Sequence, residues 1–173
     1  MRVERERSAT VAEFGVEIRG LILDPVSNSP IVILKRPDEN IFLPIWIGVF
    51  EANAIALQLE GVQTPRPMTH DLLRDMVAGL GARVVGVLVH SLVENTFHAT
   101  IELQDGQGNA STVDARPSDA IALALRCQAP IRVSEEVFQR AHALDLSSGQ
   151  DQEARLREWL DSLSPEELGK YKM

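Results

Sequence analysis

The sequence lacks the features that mark secreted and membrane proteins. Its 173 residues include one cysteine, Cys127, so an intrachain disulfide is excluded and a reducing compartment is favoured. No apolar run approaches the roughly 18 residues that a membrane-spanning helix needs. Residues 1–7 are charged and no apolar stretch follows them, so we expect no secretory signal peptide. We therefore expect a cytoplasmic protein that makes no contact with a membrane.

The sequence also lacks a basic segment. The chain carries 17 Lys and Arg against 25 Asp and Glu, which gives a net charge of -8. Proteins that hold nucleic acid through its phosphates usually present a basic patch or stripe. The acidic balance therefore argues against tight binding to nucleic acid.

Strong catalytic motifs are absent as well. The sequence contains no Walker loop, no GxGxxG, no HExxH and no CxxC pair. It also has no GxSxG elbow from which a serine hydrolase site could start. Cys127 lies near the end of an apolar helix pattern, where a buried and inert thiol is expected.

What the sequence does have is an internal similarity between residues 16–61 and 82–127. Each segment predicts three strands followed by a helix, at an offset of 66 positions. The stretch Ala-Ile-Ala-Leu recurs at 54–57 and 120–123. Alanine and leucine are common in helices, so chance is an alternative explanation, but the repeated order of elements favours duplication. We predict an α+β fold with mixed sheets packed with helices, built from a duplicated strand-strand-strand-helix unit.

At the same offset, Gly20 corresponds to Gly86. Between the two segments, a further helix is predicted to run to about Leu80. Its apolar face would consist of Leu72, Leu73, Met76, Val77 and Leu80.

Three regions are predicted along the chain. Residues 1–12 form a flexible N-terminus, residues 13–138 form the domain, and residues 139–173 form a helical C-terminal tail. The tail helix carries one apolar stripe, made of Leu156, Trp159, Leu160 and Leu163. This stripe either packs on its own domain or docks on a partner subunit.

Two similar segments carry the candidate functional residues. Residues 66–71 read Arg-Pro-Met-Thr-His-Asp, and residues 114–119 read Asp-Ala-Arg-Pro-Ser-Asp. Each places an Arg-Pro pair just before a predicted helix, with hydroxyl and carboxylate residues in the first turn. The exposed N–H groups of a helix start and the planar fork of an arginine are suited to phosphate.

The carboxylates of the same segments suggest an alternative, because Asp71, Asp114 and Asp119 could hold a hard cation such as Mg²⁺ or Mn²⁺. A metal-activated water that attacks a phosphodiester would need such carboxylates, a His for proton transfer and an Arg near the developing charge. Glu51 is a weaker candidate at the matching helix start of the first segment.

A purely structural reading of these residues is also open. In that case Thr69 is a helix N-cap and has no further role. Aspartates near helix starts are favoured by the helix dipole, whether or not they have a function. In this reading, Arg66 and Arg116 pair with Asp119 and Asp71 to pin the loops.

These segments resemble the bifunctional nuclease domain family over about residues 13–138. The matching motifs fall in the same order as in the family, at residues 17–20, 43–48, 51–52, 66–72 and 114–120. The resemblance implies a mixed α+β domain with duplicated halves, a homodimer, and cleavage of both RNA and DNA. It does not imply a settled catalytic mechanism.

Carried over residue by residue, the resemblance implies three sets of site residues. The catalytic set is His70, Asp71, Asp114 and Asp119. The substrate-binding set is Arg66, Thr69, Arg116 and Ser118. The metal-binding set, for Mg²⁺ or Mn²⁺, is Asp71, Asp114 and Asp119, with Glu51 behind them.

Two hypotheses about function follow. One is a metal-assisted nuclease with little sequence preference. The other is a non-catalytic dimeric module that binds an anion or a partner, or whose polar cluster only buttresses loops. Carboxylates that converge in an open cleft would favour the nuclease. Carboxylates engaged in arginine pairs would favour the module.

Overall fold

The structure is a computed structural model, and it describes residues 12–24, 27–37, 39–141 and 143–145, together with residues 154, 158 and 162. Residues 154, 158 and 162 of the predicted tail are helical, whereas residues 144–145 of the same stretch form a short strand. The predicted flexible N-terminus, apart from residue 12, and the predicted apolar stripe of the tail lie outside the described residues. The predicted domain boundaries stay predictions.

Strands and helices follow each other in an α+β order, as predicted. The elements are β1 (Glu13–Leu23), β2 (Pro30–Arg36), β3 (Ile41–Trp46), α1 (Val49–Leu59), α2 (Thr69–Gly79), β4 (Ala82–Val93), β5 (Thr96–Asp105), β6 (Ala110–Ala115), α3 (Pro117–Cys127), β7 (Ile131–Ser134), α4 (Glu135–Arg140) and β8 (Leu144–Asp145). No helix in the described part of the chain is both long enough and apolar enough to span a membrane.

The strands form one mixed sheet in the order β6-β5-β4-β7-β1-β2-β3-β8. Strand β7 runs parallel to β4 and antiparallel to β1, and the other neighbours pair antiparallel. The strands of the first predicted repeat, β1–β3, therefore lie on one side of β7, and those of the second, β4–β6, lie on the other. On each side the strands follow one another outward from β7 in the order in which they occur in the chain.

The two sets share one irregularity. The pairing register shifts between Ile18 and Gly20 in β1, and between Val84 and Gly86 in β4. These positions correspond at the offset of 66 that relates the two segments. The two segments thus share the order of their elements and the position of this register shift. That they arose by duplication stays a prediction.

Local patterns explain several of these strands. In β5, Phe97, Ala99 and Ile101 are buried while the residues between them are half-buried, the alternation expected of a strand with one face on the core. In β3, Pro44 pairs with Ile33 of β2, whereas β8 pairs only with the first two residues of β3. On its β8 side Pro44 therefore has no strand neighbour among the described residues, which suits a residue that has no N–H to donate to a neighbouring strand.

Helix α3 lies at the centre of the helical layer, because it contacts α1, α2, β4 and β5. The residues from position 120 to position 124 are all buried, and three of them are alanines, Ala120, Ala122 and Ala124. Small side chains let neighbouring helices approach α3 closely. This helix and its two neighbours position the residues that the sequence singles out.

Helix α2 differs from its neighbours because its apolar face is largely exposed. Leu72, Leu73, Met76 and Leu80 are between 41% and 83% exposed, and Val77 is half-buried. Its one buried residue is His70, in the first turn. The helix is therefore attached through His70 in its first turn and Val77 near its end, and most of its apolar stripe faces away from the described core.

A matched pair of leucines tests this division between core and surface. Leu43 is 0% exposed and Leu80 is 83% exposed. We expect Leu43→Ala to lower the free energy of unfolding by about 2–5 kcal/mol, because it leaves a cavity in the core. Leu80→Ala should change it by no more than about 0.5 kcal/mol. Urea unfolding of both variants measures this difference, and equal losses would contradict the assigned burial.

Candidate functional site

A cluster of charged side chains forms where α1, α2 and α3 begin. Asp119 Oδ1 lies 3.0 Å from His70 Nε2, and Asp119 Oδ2 accepts a hydrogen bond of 2.7 Å from Arg116 Nε. Arg116 Nη2 then donates to Glu51 Oε1 at 2.8 Å. Each of the three helix starts thus contributes a side chain to one connected network, which we call the dyad cluster (Glu51, His70, Arg116 and Asp119).

The local sequence around α3 explains how its part of the dyad cluster is built. Pro117 occupies the first turn of α3, and the residue before a proline is pushed towards extended backbone. Arg116 accordingly has a φ of -68° and a ψ of 143° as the N-cap. Its side chain can then reach Asp119, three residues further along.

A glycine makes room for the glutamate of the cluster. Gly48 is the N-cap of α1, and a Cβ atom at this position would collide with the carboxylate of Glu51. Without a side chain at position 48, Glu51 can fold back over the helix start, where Arg116 reaches it. This explains a glycine three residues before Glu51 in one of the segments that carry the resemblance.

The dyad cluster is partly shielded from water. His70 is 7% exposed, whereas the side chain of Asp119 is 29% exposed and that of Arg116 is 44% exposed. The hydrogen bond from His70 lowers the pKa of Asp119 below its ordinary value, against the effect of burial, and Arg116 adds to this lowering. Asp119 is therefore a carboxylate near neutral pH, and an imidazole is held beside it.

A second ion pair lies next to this cluster and is more deeply buried. Arg126, with a side chain that is 2% exposed, donates from Nε to Asp71 Oδ1 at 2.8 Å. Its Nη1 donates to the carbonyl of Ala122 and its Nη2 to the carbonyl of Ala54. Asp71 Oδ2 accepts a hydrogen bond from the backbone N–H of Met68. One guanidinium therefore joins α1, α2 and α3.

This environment also shifts the titration of Asp71. Burial raises the pKa of Asp71, but the hydrogen bonds from Met68 and Arg126 outweigh it and hold the pKa below its ordinary value. Asp71 is consequently a charged member of the buried pair.

The structure brings some of the predicted site residues together and not others. His70, Arg116, Asp119 and Glu51 meet in the dyad cluster, while Asp71 is engaged by Arg126. Asp114 is exposed in β6, where it pairs across the strands with Thr100. Arg66 and Thr69 are exposed, and Ser118 is buried in the first turn of α3.

Two details of the structural reading are wrong. Arg116 does pair with Asp119, but the partner of Asp71 is Arg126 and not Arg66. The N-cap of α2 is Met68 and not Thr69, because Asp71 three residues later accepts from the Met68 N–H. The first turn of α2 is therefore organised by its own carboxylate.

The predicted metal ligands do not form a metal site as they stand. No group of three or more His, Cys, Asp or Glu side chains in the described residues could hold a metal ion. Asp71 and Asp119 each use both carboxylate oxygens in hydrogen bonds to other groups, and Asp114 is exposed on a different element. The expectation of a Mg²⁺ or Mn²⁺ ion thus finds no converging set of ligands, and a need for either ion stays a prediction.

Arg126 is the residue that the sequence reasoning missed. A signal for it exists, because Arg126 stands four residues after Ala122, on the side of α3 that the helical period predicts to be buried. A buried arginine needs a partner, and the carboxylates of neighbouring helices were the available candidates.

Comparison with known proteins gives a consistent result. The family model of the bifunctional nuclease domain matches residues 32–145, which include the dyad cluster. An uncharacterized protein of Mycobacterium tuberculosis is 39% identical over 163 residues, which cover 88% of this chain and 96% of that protein. Bifunctional nuclease 1 of Arabidopsis thaliana is 34% identical over 110 residues, which cover 61% of this chain and 34% of that protein. The chain thus matches about a third of the length of the plant relative.

The buried pair predicts a specific dependence of stability on pH. Because the folded-state pKa of Asp71 lies below its ordinary value of 3.8, its charge stabilises the fold above pH 3.8, and this contribution is lost as the pH falls through the folded-state pKa. We expect Asp71→Asn to unfold at lower urea concentration than the wild type at pH 7. The difference should shrink as the pH falls below about 4.

Asp114→Asn is the matched control for this experiment, because Asp114 is exposed. Its unfolding midpoint should follow that of the wild type throughout the titration. A deficit of Asp71→Asn that stays constant down to pH 3 would show that the charge of Asp71 is not what stabilises the helices.

Proposed function

Because the chain belongs to the bifunctional nuclease domain family, we propose that it hydrolyses the phosphodiester bonds of RNA and DNA with low sequence specificity. The observation that carries the proposal is the pairing of His70 with Asp119 beside the half-exposed Arg116. The single cysteine, Cys127, supports a cytoplasmic setting for this activity.

The proposed chemistry uses His70 as the general base. When Nε2 carries the hydrogen that Asp119 accepts, Nδ1 holds a lone pair that can take a proton from an attacking water. The water oxygen forms a bond to phosphorus, the bond from phosphorus to the leaving oxygen breaks, and that oxygen takes a proton from solvent. Asp119 stabilises the imidazolium that results. A water nucleophile suits both RNA and DNA, since it does not require a 2′-hydroxyl.

Arg116 has the geometry to contact the phosphate. Its Nε and one terminal nitrogen are held by Asp119 and Glu51, so the guanidinium is fixed in orientation while 44% of the side chain stays exposed. The two carboxylates also raise the pKa of Arg116, against the effect of burial, so it stays charged. A fixed cation of this kind can stabilise the charge that develops on the phosphoryl oxygens.

A second candidate function is a binding or regulatory module without catalysis. The observation that favours it is that Asp119, Glu51 and Asp71 are all engaged in ion pairs with arginines. A structural role alone, in which the pairs hold the three helix starts together, is enough to explain them. The net charge of -8 is also explained more simply by this function than by a nuclease.

The two functions are separated by a cleavage assay on labelled single-stranded RNA and DNA, with the wild type, His70→Ala, Asp119→Asn and His98→Ala purified identically. We expect His70→Ala to lower the rate by about 100-fold or more, the usual contribution of a general base. His98→Ala removes a half-buried histidine of β5 outside the dyad cluster and should retain the wild-type rate. Parallel reactions with Mg²⁺, Mn²⁺ or EDTA test the expected need for a cation.

Each result has a distinct meaning. Equal cleavage by all four proteins would place the activity outside the dyad cluster or in a contaminant. No cleavage by any of them, with or without added cation, would favour the module. Circular dichroism of each variant shows whether a loss of activity reflects unfolding.

We also propose that two copies of the chain associate through the exposed apolar face of α2. Leu72, Leu73, Met76 and Leu80 lie exposed on this one helix, and clustered apolar side chains of this kind often mark protein interfaces. A second copy of the chain is the proposed occupant, in keeping with the homodimer that the family resemblance implies.

Light scattering after size-exclusion chromatography measures the assembly. We expect the wild type to elute with twice the mass of one chain, and Leu72→Glu to elute as a monomer, because a charge would be buried at the interface. Val113→Glu is the control, since Val113 is 47% exposed on β6 against 54% for Leu72 on α2. A monomeric wild type, or a Leu72→Glu variant that stays dimeric, would contradict this interface.

A further inference from the structure

A polar pocket opens beside the buried ion pair, and Asp71 and Arg126 form part of its lining. It has a volume of about 470 Å³ and is lined by the loop of residues 61–67 together with side chains of α1, α2 and α3. This volume lies within the range of roughly 300–1,000 Å³ that is usual for small-molecule sites. The pocket is therefore large enough for a nucleotide.

Three arginines line this pocket. Arg66 comes from the loop, Arg74 from α2 and Arg126 from α3, and the one acidic residue of the lining is Asp71. This concentration of cations stands out in a chain whose net charge is -8. The pocket thus has the opposite sign of charge from the chain as a whole.

The arginines differ in how far they are already neutralised. Arg126 is paired with Asp71, and Arg74 is paired with Asp75 through hydrogen bonds of 2.8 Å. Arg66 is exposed and forms no ion pair within the described part of the chain. The lining therefore keeps an unneutralised positive charge at Arg66. The guanidinium of Arg126, by contrast, is fixed by its ion pair and almost fully buried.

From this arrangement we infer that the pocket binds the phosphate of a nucleotide, with Arg66 as its principal contact and Arg74 as a second one. An arginine fork matches the geometry of a phosphate group. The amides of Gln58 and Gln63 are available to the sugar or the base. The inference rests on the proposed function in its choice of a nucleotide as the ligand.

The position of the pocket relates it to the dyad cluster. His70 and Asp71 are adjacent in α2, and they contact Asp119 and Arg126 of α3, which are seven residues apart. At 1.5 Å per residue the backbone positions of Asp119 and Arg126 are roughly 10 Å apart along the axis of α3, and the guanidinium of Arg126 reaches back towards Asp119 as far as the carbonyl of Ala122. A strand whose phosphate is held in the pocket would therefore pass close to His70.

Binding is measured by isothermal titration calorimetry with 5′-UMP, uridine and a five-nucleotide phosphorothioate oligo(U). 5′-UMP has no phosphodiester bond and the oligonucleotide resists cleavage, so binding is measured independently of catalysis. We expect 5′-UMP to bind about tenfold or more tightly than uridine, and Arg66→Ala to remove most of this difference. Arg74→Ala should weaken binding of 5′-UMP to a smaller extent, because Asp75 shares its charge.

Arg83→Ala is the matched control, because it removes the same charge from an exposed position on β4. It should bind 5′-UMP as the wild type does. Tighter binding of the oligonucleotide than of 5′-UMP would identify a strand as the ligand, and equal or weaker binding would identify a mononucleotide. Equal affinities for 5′-UMP and uridine, or an Arg66→Ala variant that binds 5′-UMP like the wild type, would overturn the inference.

The same titrations with His70→Ala keep the two proposals apart. If that variant binds 5′-UMP normally while the wild type cleaves nothing, the pocket stands and the nuclease proposal fails. If the wild type cleaves RNA but binds 5′-UMP no better than uridine, the nuclease stands and the pocket assignment fails.

Discussion

The arrangement of the three main helices depends on one buried guanidinium. Arg126 is almost inaccessible to water, yet it joins the carboxylate of Asp71 in α2 to the backbone carbonyls of Ala54 in α1 and Ala122 in α3. Burial of a charge is costly unless the charge is paired and its hydrogen bonds are satisfied, and both conditions hold here. Most of the apolar face of α2 is exposed, and the ion pair holds the first turn of this helix, which carries His70, against α3.

The sheet explains why three helix starts meet at one place. Strand β7 lies between two three-stranded units of the same order. The first unit is followed by α1 and the second by α3, and these two helices pack against each other. Glu51 and Asp119 stand at the third position of these two helices. Arg116 joins them, and α2 adds His70 from the connection between the units. The dyad cluster thus lies at the junction of the two halves and depends on both.

Much of the fold was predictable because local chemistry and tertiary packing agree. The order of strands and helices and the proline at the start of α3 are observed where the sequence analysis expects them. His70, Arg116 and Asp119 belong to the larger group of predicted site residues, but the sequence did not indicate that these three would meet without Asp71 and Asp114. Which carboxylate faces which arginine depends on how the helices are packed, and residue spacing carries no information about that. For the same reason, the sequence suggested one group from Asp71, Asp114 and Asp119, whereas the fold places these three residues in three different surroundings.

Asp114 lies in a strand at the edge of the sheet, β6. This strand lies at one end of the sheet and pairs with β5 alone among the described strands, so one side of its backbone is open to another strand. An open sheet edge can pair with a strand of another molecule, and charged side chains at such edges commonly make this pairing less favourable. Five of the six residues of β6 are exposed, and Asp114 is the one that carries a charge. A charge at this position makes the addition of a foreign strand to the open side of β6 less favourable.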